Sequence, residues 1–434
     1  MSSADSIPNR DQLHCLTLIP SFLQLILVYA PVRGYIWKRG SIIQRQTMKT
    51  VIVLGAGMVG RAMAIDLSSS FQVTAADVNT QALARLQNHS SIKTVQTDVS
   101  NPRVVQQLVE PFDLVIGAVP GFIGFETLKA VIQAGKSVVD IAFFPEDPFL
   151  LNDLANQHNV TAVVDCGVAP GMSNLILGFY KERMRIDTFE CLVGGLPVKR
   201  TWPYEYKAPF SPIDVLEEYT RPARLVEHGR IVRRPALSEP ELVEFDPVGT
   251  LEAFNTDGLR TLLHTMDIPF MKEKTLRYPG HIERMRMLRE SGFLSKEPIE
   301  IEGHRVVPLQ VTSKLLFPQW KLGETEPEFT IMRIVLHGFE NNHSKEIVYH
   351  LFDTYDAKTD ISSMARTTGF TCTAVAHLLL NGDFERKGIC PPEFIAETPG
   401  CFDNVMQYLK ERRVQYHKIE RVIEAHEQSR DAKS

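Results

Sequence analysis

The sequence predicts an α/β protein: a doubly wound, Rossmann-type parallel sheet followed by a mixed α/β second domain built on an antiparallel sheet. The first observation behind this is the run Thr50-Val51-Ile52-Val53-Leu54-Gly55-Ala56-Gly57-Met58-Val59-Gly60, an apolar strand leading straight into Gly-x-Gly-x-x-Gly and a helical pattern. The second is the apolar stretch from Gln72 to Ala76, closed by Asp77. Strand, glycine turn, helix and acid in this order form the dinucleotide-binding fingerprint. The third is the alternation of strand and helix patterns from 50 to about 170, followed by a β-rich half.

Strands are expected at 51–55, 72–77, 93–97, 113–117, 137–141 and 161–164, and helices at 58–69, 79–88, 101–109, 123–134 and 147–157. Each glycine of the fingerprint has its own task. Gly55 permits the tight turn, Gly57 lets the backbone approach a pyrophosphate, and Gly60 lets the helix pack close to the strand. The phosphates belong at the N-terminus of the helix opened by Met58, where unpaired N–H groups and the helix dipole favour negative charge.

From about 188 the β-rich stretches are Phe189 to Leu196, Arg224 to Arg233, Leu242 to Phe245 and Lys274 to Tyr278. Phe329 to Gly338 and Glu346 to Thr354 flank Asn341-Asn342-His343, a hairpin signal. An antiparallel sheet has a face free to pack on a partner, so a homodimer is the expected assembly. Helical spacing returns over 361–381, with Gly382 as C-cap. The domain reading is an extension at 1–47, a dinucleotide domain at 48–170 and a substrate and dimerisation domain at 171–357. A helical segment at 358–411 returns to the dinucleotide domain, and a flexible tail, read as a frayed helix, occupies 412–434.

Composition narrows the class. The 434 residues are 44% hydrophobic and 23% charged, which is globular, and a net charge of -5 offers no basic surface for nucleic acid. The six cysteines form no Cys-x-x-Cys pair and have no accompanying His cluster, so neither a zinc site nor a disulfide framework is expected. Reduced thiols fit a cytoplasmic protein. Cys15 to Val32 is apolar but broken by Pro20 and Pro31, short for a membrane span and without signal-peptide flanks. Met48 reads as the natural start, with 1–47 as a translation artefact or disordered arm; the rival reading is a membrane-associated arm.

Ligands of such sheets bind beyond the carboxyl ends of the strands. The cofactor candidates are therefore Gly55, Ala56, Gly57, Met58, Val59, Gly60, Asp77, Asp98, Ala118, Val119, Pro120 and Gly167. The Asp77 carboxylate suits ribose hydroxyls and repels a 2′-phosphate, and no Arg is read as following to welcome one, which favours NAD with NADP as the alternative. Asp98 either meets the adenine amino group or caps the helix starting near Pro102. The run Asp165-Cys166-Gly167-Val168-Ala169-Pro170-Gly171-Met172-Ser173-Asn174 ends in a helix start whose N–H groups could hold a carboxylate or the nicotinamide amide. Hydride transfer at a C–N bond asks the protein for position, electrostatics and one proton path. Acid/base candidates are Asp140, Asp165, Glu205, Tyr206, Asp257 and His281; Cys166 is either a nucleophile or a buried small residue. Arg260, Arg277 and Arg284 are candidate carboxylate anchors, because the planar guanidinium binds both oxygens.

These runs resemble the saccharopine dehydrogenase family, and within it the lysine 6-dehydrogenase-like bacterial members. The resemblance is carried by Val51 to Gly60, Asp165 to Asn174, Val193-Gly-Gly-Leu-Pro-Val198, Leu251-Glu-Ala-Phe-Asn-Thr-Asp-Gly-Leu-Arg260, Lys274-Thr-Leu-Arg-Tyr-Pro-Gly-His281 and Ser363-Met-Ala-Arg-Thr-Thr-Gly369. It implies NAD(P)-dependent oxidation of a CH–NH or CH–NH2 group in a lysine-derived amino acid, through an imine that water hydrolyses. Within it, Asp140, Asp165, Cys166 and His281 stand as catalytic candidates. Asn174, Asp257, Arg260 and Arg277 stand as substrate contacts. Where saccharopine-specific relatives carry Asn-Arg-Asp-Ser, this chain has Asn255-Thr256-Asp257-Gly258. Thr256 cannot hold a substrate carboxylate as Arg would, which makes saccharopine less apt than lysine or another amine. A carboxynorspermidine-type reductive condensation and a non-catalytic nucleotide-binding protein are the alternatives.

Overall fold

The computed structural model describes residues 35–38, 41–44, 48–87, 89–323 and 325–423. The chain divides into two units, Met1–Thr47 and Met48–Ser434. In the first, Tyr35–Lys38 and Ser41–Gln44 pair as an antiparallel hairpin. The apolar stretch Cys15 to Val32 lies outside the described residues.

The second unit opens with the expected alternation. Strands β1 (Thr50–Leu54), β2 (Gln72–Asp77), β3 (Ile92–Gln96), β4 (Leu114–Gly117), β5 (Val138–Asp140) and β6 (Thr161–Val163) alternate with helices. These helices are α1 (Met58–Leu67), α2 (Thr80–Ala84), α3 (Pro102–Val109), α4 (Gly121–Gln133) and α5 (Asn152–Gln157). All strand pairs are parallel, and β1, β4 and β5 are buried throughout or nearly so, as a sheet covered on both faces requires. Local chemistry sets the helix starts: Asn79 Oδ1 accepts from Gln81 N at 2.9 Å, and Asn101 Oδ1 from Arg103 N at 3.0 Å with Pro102 following. The helix expected over 147–157 begins instead as a 3-10 turn, Pro148–Leu151.

The second half begins with α6 (Met172–Lys181), β7 (Arg185–Pro197), α7 (Pro212–Thr220), β8 (Ala223–Glu227), β9 (Arg230–Arg234), β10 (Glu241–Phe245) and β11 (Gly249–Asn255). There follow α8 (Leu262–Thr265), β12 (Phe270–Arg277), α9 (His281–Glu290), the short pair β13 (Ile299–Ile301) and β14 (His304–Val306), and α10 (Pro308–Trp320). The long hairpin β15 (Glu328–Glu340) and β16 (His343–Thr354) turns at Asn341-Asn342, both at positive φ as such a turn demands. The sheet order is β9-β8-β12-β7-β15-β16, extended beyond β16 by a strand at Tyr416–Ile423 and joined by β10 and β11 beside β12. Every pair is antiparallel except β7 with β12. The stretch from Arg224 to Arg233 is a hairpin folded at His228-Gly229, not one strand.

Helix α11 (Ser363–Asn381) ends at Gly382 in the left-handed conformation (φ 81°). It lies on α1, with Gly369 facing Met63 and Val59. It is followed by β17 (Gly388–Cys390), α12 (Pro392–Ala396), α13 (Cys401–Glu411) and β18 (Tyr416–Ile423). Asp66 of α1 gathers this return segment, accepting from Thr373 Oγ1 at 2.5 Å, Tyr408 OH at 2.7 Å and Arg412 Nε at 2.6 Å. Strand β17 adds a seventh parallel strand beside β6. Residues 416–423, expected in a frayed helical tail, pair antiparallel with β16. Their charge is that of an exposed edge strand, a common defence against unwanted pairing. Among the described residues no helix is long and apolar enough to cross a membrane.

Glu328, fully buried, closes the N-terminus of α11 by accepting from the backbone N–H groups of Ser363 and Met364. Burial pushes its carboxyl up to about 7. A carboxyl whose pKa is higher folded than unfolded favours the fold most at low pH, and that contribution is lost as pH rises through the folded value. Stability is expected to fall between about pH 5 and pH 8, by at most about 3 kcal/mol from this group. Glu328→Gln should flatten that slope in urea titrations, and an unchanged slope contradicts the assignment.

Candidate active site

The carboxyl ends of β1, β2, β4 and β6 open on a cleft of about 1160 Å³, whose opposite wall is supplied by β7, α7 and β12. At one end lies the glycine turn. Gly55 sits at φ 105°, and a Cβ there would stand 2.3 Å from the Ala118 carbonyl oxygen. A Cβ on Gly60 would stand 2.0 Å from the Gly55 oxygen, whereas one on Gly57 meets nothing, because Gly57 faces the open cleft. Helix α1 has no side-chain cap at Gly57, so its first N–H groups are left for a ligand. Asp77 is tied to the turn: its Oδ2 accepts from Ala56 N and its Oδ1 from Asn79 N, each at 2.7 Å. A pyrophosphate suits the bare helix terminus, and ribose hydroxyls suit the remaining lone pairs of Asp77. These residues fit a dinucleotide.

Every cofactor candidate, from Gly55 to Gly167, lines this cleft. Asp98 caps no helix, since Asn101 does that; its carboxylate accepts from Ser100 N at 2.9 Å, and this bonding holds it below the usual carboxylate range. Arg85 also lines the adenosine end, a cation that the sequence reading did not place there.

The catalytic and substrate candidates divide. Asp165, Asp257 and Arg277 line the cleft. Arg260 does not act as a carboxylate anchor. It is buried against Asp165, with Nε at 3.2 Å from both carboxylate oxygens and Nη2 at 3.0 Å from Oδ1, and its Nη1 donates to the Phe144 carbonyl. Asp257 is held by Arg224 in a two-point pair at 2.8 and 2.9 Å. Asn174 is buried off the cleft, bonding Thr261 and Glu393. The helix start it belongs to is closed, because Met172 N donates to the Gly167 carbonyl at 3.0 Å.

Most acid/base candidates are likewise removed by burial. Cys166 is fully buried and off the cleft, and burial pushes its thiol up, so it is an inert core residue and not a nucleophile. Asp140 lies sealed beneath Gly117 with its Oδ2 unbonded; burial, reinforced by Asp165, raises its carboxyl well above the usual range. His281 is fully buried among Tyr206, Tyr219 and Trp320. Its Nδ1 donates to the Tyr204 carbonyl at 2.8 Å, so Nε2 accepts from Tyr219 OH at 3.0 Å. Tyr219 OH in turn accepts from Arg277 Nε at 3.0 Å. Burial and then Arg277 press the imidazole down to about 3, so it stays neutral and positions the arginine rather than exchanging protons with a substrate. Glu205 pairs with Arg200, Tyr206 is buried away from the cleft, and Arg284 lies over the Trp202 ring.

The sequence reading missed Glu273. Side chains alternate along a strand, and Glu273, Thr275 and Arg277 of β12 share the face that lines the cleft. Glu273 is 4% exposed, and its carboxylate has no hydrogen-bond or ion-pair partner among the described residues. It rests against the Cα of Gly258, where a Cβ would stand 1.5 Å from Oε1. Burial, then the nearby Glu218, Asp257 and Asp165, push it up to about 8. Beside it, Arg277 is turned by Tyr219, by the Leu276 carbonyl at 2.9 Å and by Glu218 Oε2 at 2.5 Å. Among the described residues no group of three or more His, Cys, Asp or Glu side chains could hold a metal ion.

A glycine-turned cradle suited to a dinucleotide thus faces a wall of ionisable groups on a second sheet. Two family models meet on this chain: the saccharopine dehydrogenase NADP binding domain over residues 51–163 and the saccharopine dehydrogenase C-terminal domain over 167–414. The chain belongs to the saccharopine dehydrogenase family, and its first sheet is an NAD(P)-binding domain. It is 22% identical over 435 residues to alpha-aminoadipic semialdehyde synthase, mitochondrial, of Rattus norvegicus, covering 82% of this chain and 46% of that protein. The chain thus spans about half the length of that relative. It is 20% identical to carboxyaminopropylagmatine dehydrogenase of Synechocystis sp., covering 81% of this chain and 94% of the relative. The solved saccharopine dehydrogenase (L-Glu forming) of Saccharomyces cerevisiae shares the fold, with a TM-score of 0.70 at 18% identity, covering 86% of this chain and all of that one.

Proposed function

We propose that the protein is an NAD(P)-dependent oxidoreductase acting at the CH–NH or CH–NH2 group of an amino-acid substrate, with lysine and saccharopine as the lysine-derived forms. One observation carries this reading: a single cleft runs from the glycine turn and Asp77 to the Glu273, Thr275 and Arg277 wall. NAD(P), when bound, supplies the hydride acceptor or donor. The chain does the rest. The glycine turn and Asp77 orient the nucleotide. The small walls at Ala118 to Pro120 and Gly167 to Pro170 admit the nicotinamide, and β12 presents polar groups to the reacting nitrogen. NAD is the favoured form, since the Asp77 carboxylate opposes a 2′-phosphate.

A second reading is reductive condensation, in which an aldehyde and an amine form an imine that is then reduced. Charge in the substrate half favours it. Among the described residues Glu273 and Asp214 face the cleft without an ion-pair partner, Arg277 and Arg221 stand beside Glu218 and Glu217, and Lys321 is the further cation of this half of the lining. Such a lining suits a cationic amine better than a tricarboxylate like saccharopine. Reduction of NAD and of NADP is to be followed over lysine, saccharopine, ornithine and related amines. Oxidation of NAD(P)H is to be followed with aspartate semialdehyde and diamines. Turnover in the first set supports the leading reading, and turnover in the second set alone supports condensation. Cofactor binding without turnover in either supports a nucleotide-binding protein.

A further inference from the structure

We propose that Glu273, seated in the notch left open by Gly258, is the group that binds the reacting nitrogen of the substrate and takes up its proton. The inference rests on the reading of the cleft as an amine oxidoreductase site and assigns the proton path that this reading requires. Three observations carry it. The carboxylate is almost wholly buried yet lines the cleft, and it has no partner of its own among the described residues. An unbonded buried carboxylate is costly, so a site that keeps one has its partner arrive with a ligand. The notch exists only because position 258 lacks a side chain, since a Cβ would occupy the place of Oε1. The groups facing Glu273 are mainly acids on other elements: Glu218 of α7, Asp257 and Asp165 from loops, with Arg260 behind Asp165; Arg277, further along the same face of β12, is already paired with Glu218. Cys191 lies opposite on β7. Burial pushes that thiol well up, so it stays neutral. The local field therefore calls for a cation.

The step is a proton transfer. A substrate ammonium, R–NH2⁺–R′ or R–NH3⁺, gives one proton to Glu273: an N–H bond breaks, an O–H bond forms, and the nitrogen regains its lone pair. No electrons change hands in this step. The lone pair then assists departure of hydride from the neighbouring carbon. In the reductive direction the carboxylic acid returns the proton as the C–H bond forms. A carboxyl held near 8 is neither too acidic to accept this proton nor too basic to return it.

The test uses the full chain saturated with NAD(P)H, with L-lysine, putrescine and spermidine as probes in calorimetric titrations at about pH 6 and about pH 9. Ionised Glu273 is expected to bind at least one probe roughly tenfold more tightly at the higher pH, and Glu273→Gln to remove that difference. Gly258→Ala keeps the carboxylate but closes its seat, and is expected to weaken the same probe about tenfold or more. For an amine that turns over, kcat/KM should rise with pH to an inflection near 8. Glu273→Gln should lower it about 10²-fold or more and abolish the inflection, with Glu273→Asp recovering part of the rate. Turnover that keeps its inflection in Glu273→Gln overturns the assignment while leaving the proposed function standing. Probe binding that depends on Glu273, in a protein that neither reduces nicotinamide with any amine nor oxidises NAD(P)H with an aldehyde and an amine, supports Glu273 as the amine-binding group and overturns both its proton-transfer role and the proposed function. No binding of any probe and no effect of Glu273→Gln on rate overturn the assignment.

Discussion

Arg260→Met is expected to cost about 3–5 kcal/mol of stability. The Arg260 and Asp165 side chains are 2% and 1% exposed, and their guanidinium–carboxylate contacts of 3.0 to 3.2 Å link the first sheet to the loop after β11. Removing the cation strands a buried carboxylate beside Asp140, whose own carboxyl burial raises well above the usual range. The pair as a whole is worth far less than the cost of breaking it, because both charges were desolvated to form it. The double variant Asp165→Asn/Arg260→Met should therefore recover much of the loss. Urea titration of the three proteins checks this. A single-variant loss under about 1 kcal/mol contradicts the described pair.

Gly57→Glu is expected to do the reverse: leave the fold intact and remove the cofactor. The position is exposed, its backbone (φ -64°, ψ -170°) is open to any residue, and a Cβ meets no atom within 4 Å. A carboxylate at a helix N-terminus is stabilising in itself. The same carboxylate stands where a pyrophosphate must lie, so NAD(P)H affinity should fall about 100-fold or more, roughly 2.7 kcal/mol, with an unchanged or higher melting temperature. Fluorescence titration of NAD(P)H against both proteins checks it. Equal affinity would place the nucleotide elsewhere.

The cofactor half of the cleft was legible because its residues follow strand ends, and the parallel sheet projects all strand ends to one side. Gly55 to Gly60, Asp77, Ala118 to Pro120 and Gly167 needed only the alternation of strand and helix to be brought together. The half walled by β12 was not. Asp165 and Gly167 face the cleft, whereas Cys166 between them is buried in the core, and a string of residue types does not say which neighbour points inward. Arg260 reads as a carboxylate anchor in the sequence because its partner lies 95 residues earlier. His281 follows a glycine and opens a helix, and nothing local reveals the aromatic pocket that keeps it neutral. Glu273 did leave a signal. The strand was expected to start at Lys274, whereas it starts at Phe270, and stepping by two from Arg277 through Thr275 reaches the buried acid. Strand β17 is three residues long and carries no periodicity to find.

The most direct measurement is a crystal structure with NAD(P)H bound. The account expects the pyrophosphate on the N–H groups of α1 beside Gly57, a ribose against Asp77, and the nicotinamide between Pro120 and Gly167 facing Glu273. A pyrophosphate off the glycine turn, or a nicotinamide on the side away from β12, would contradict it.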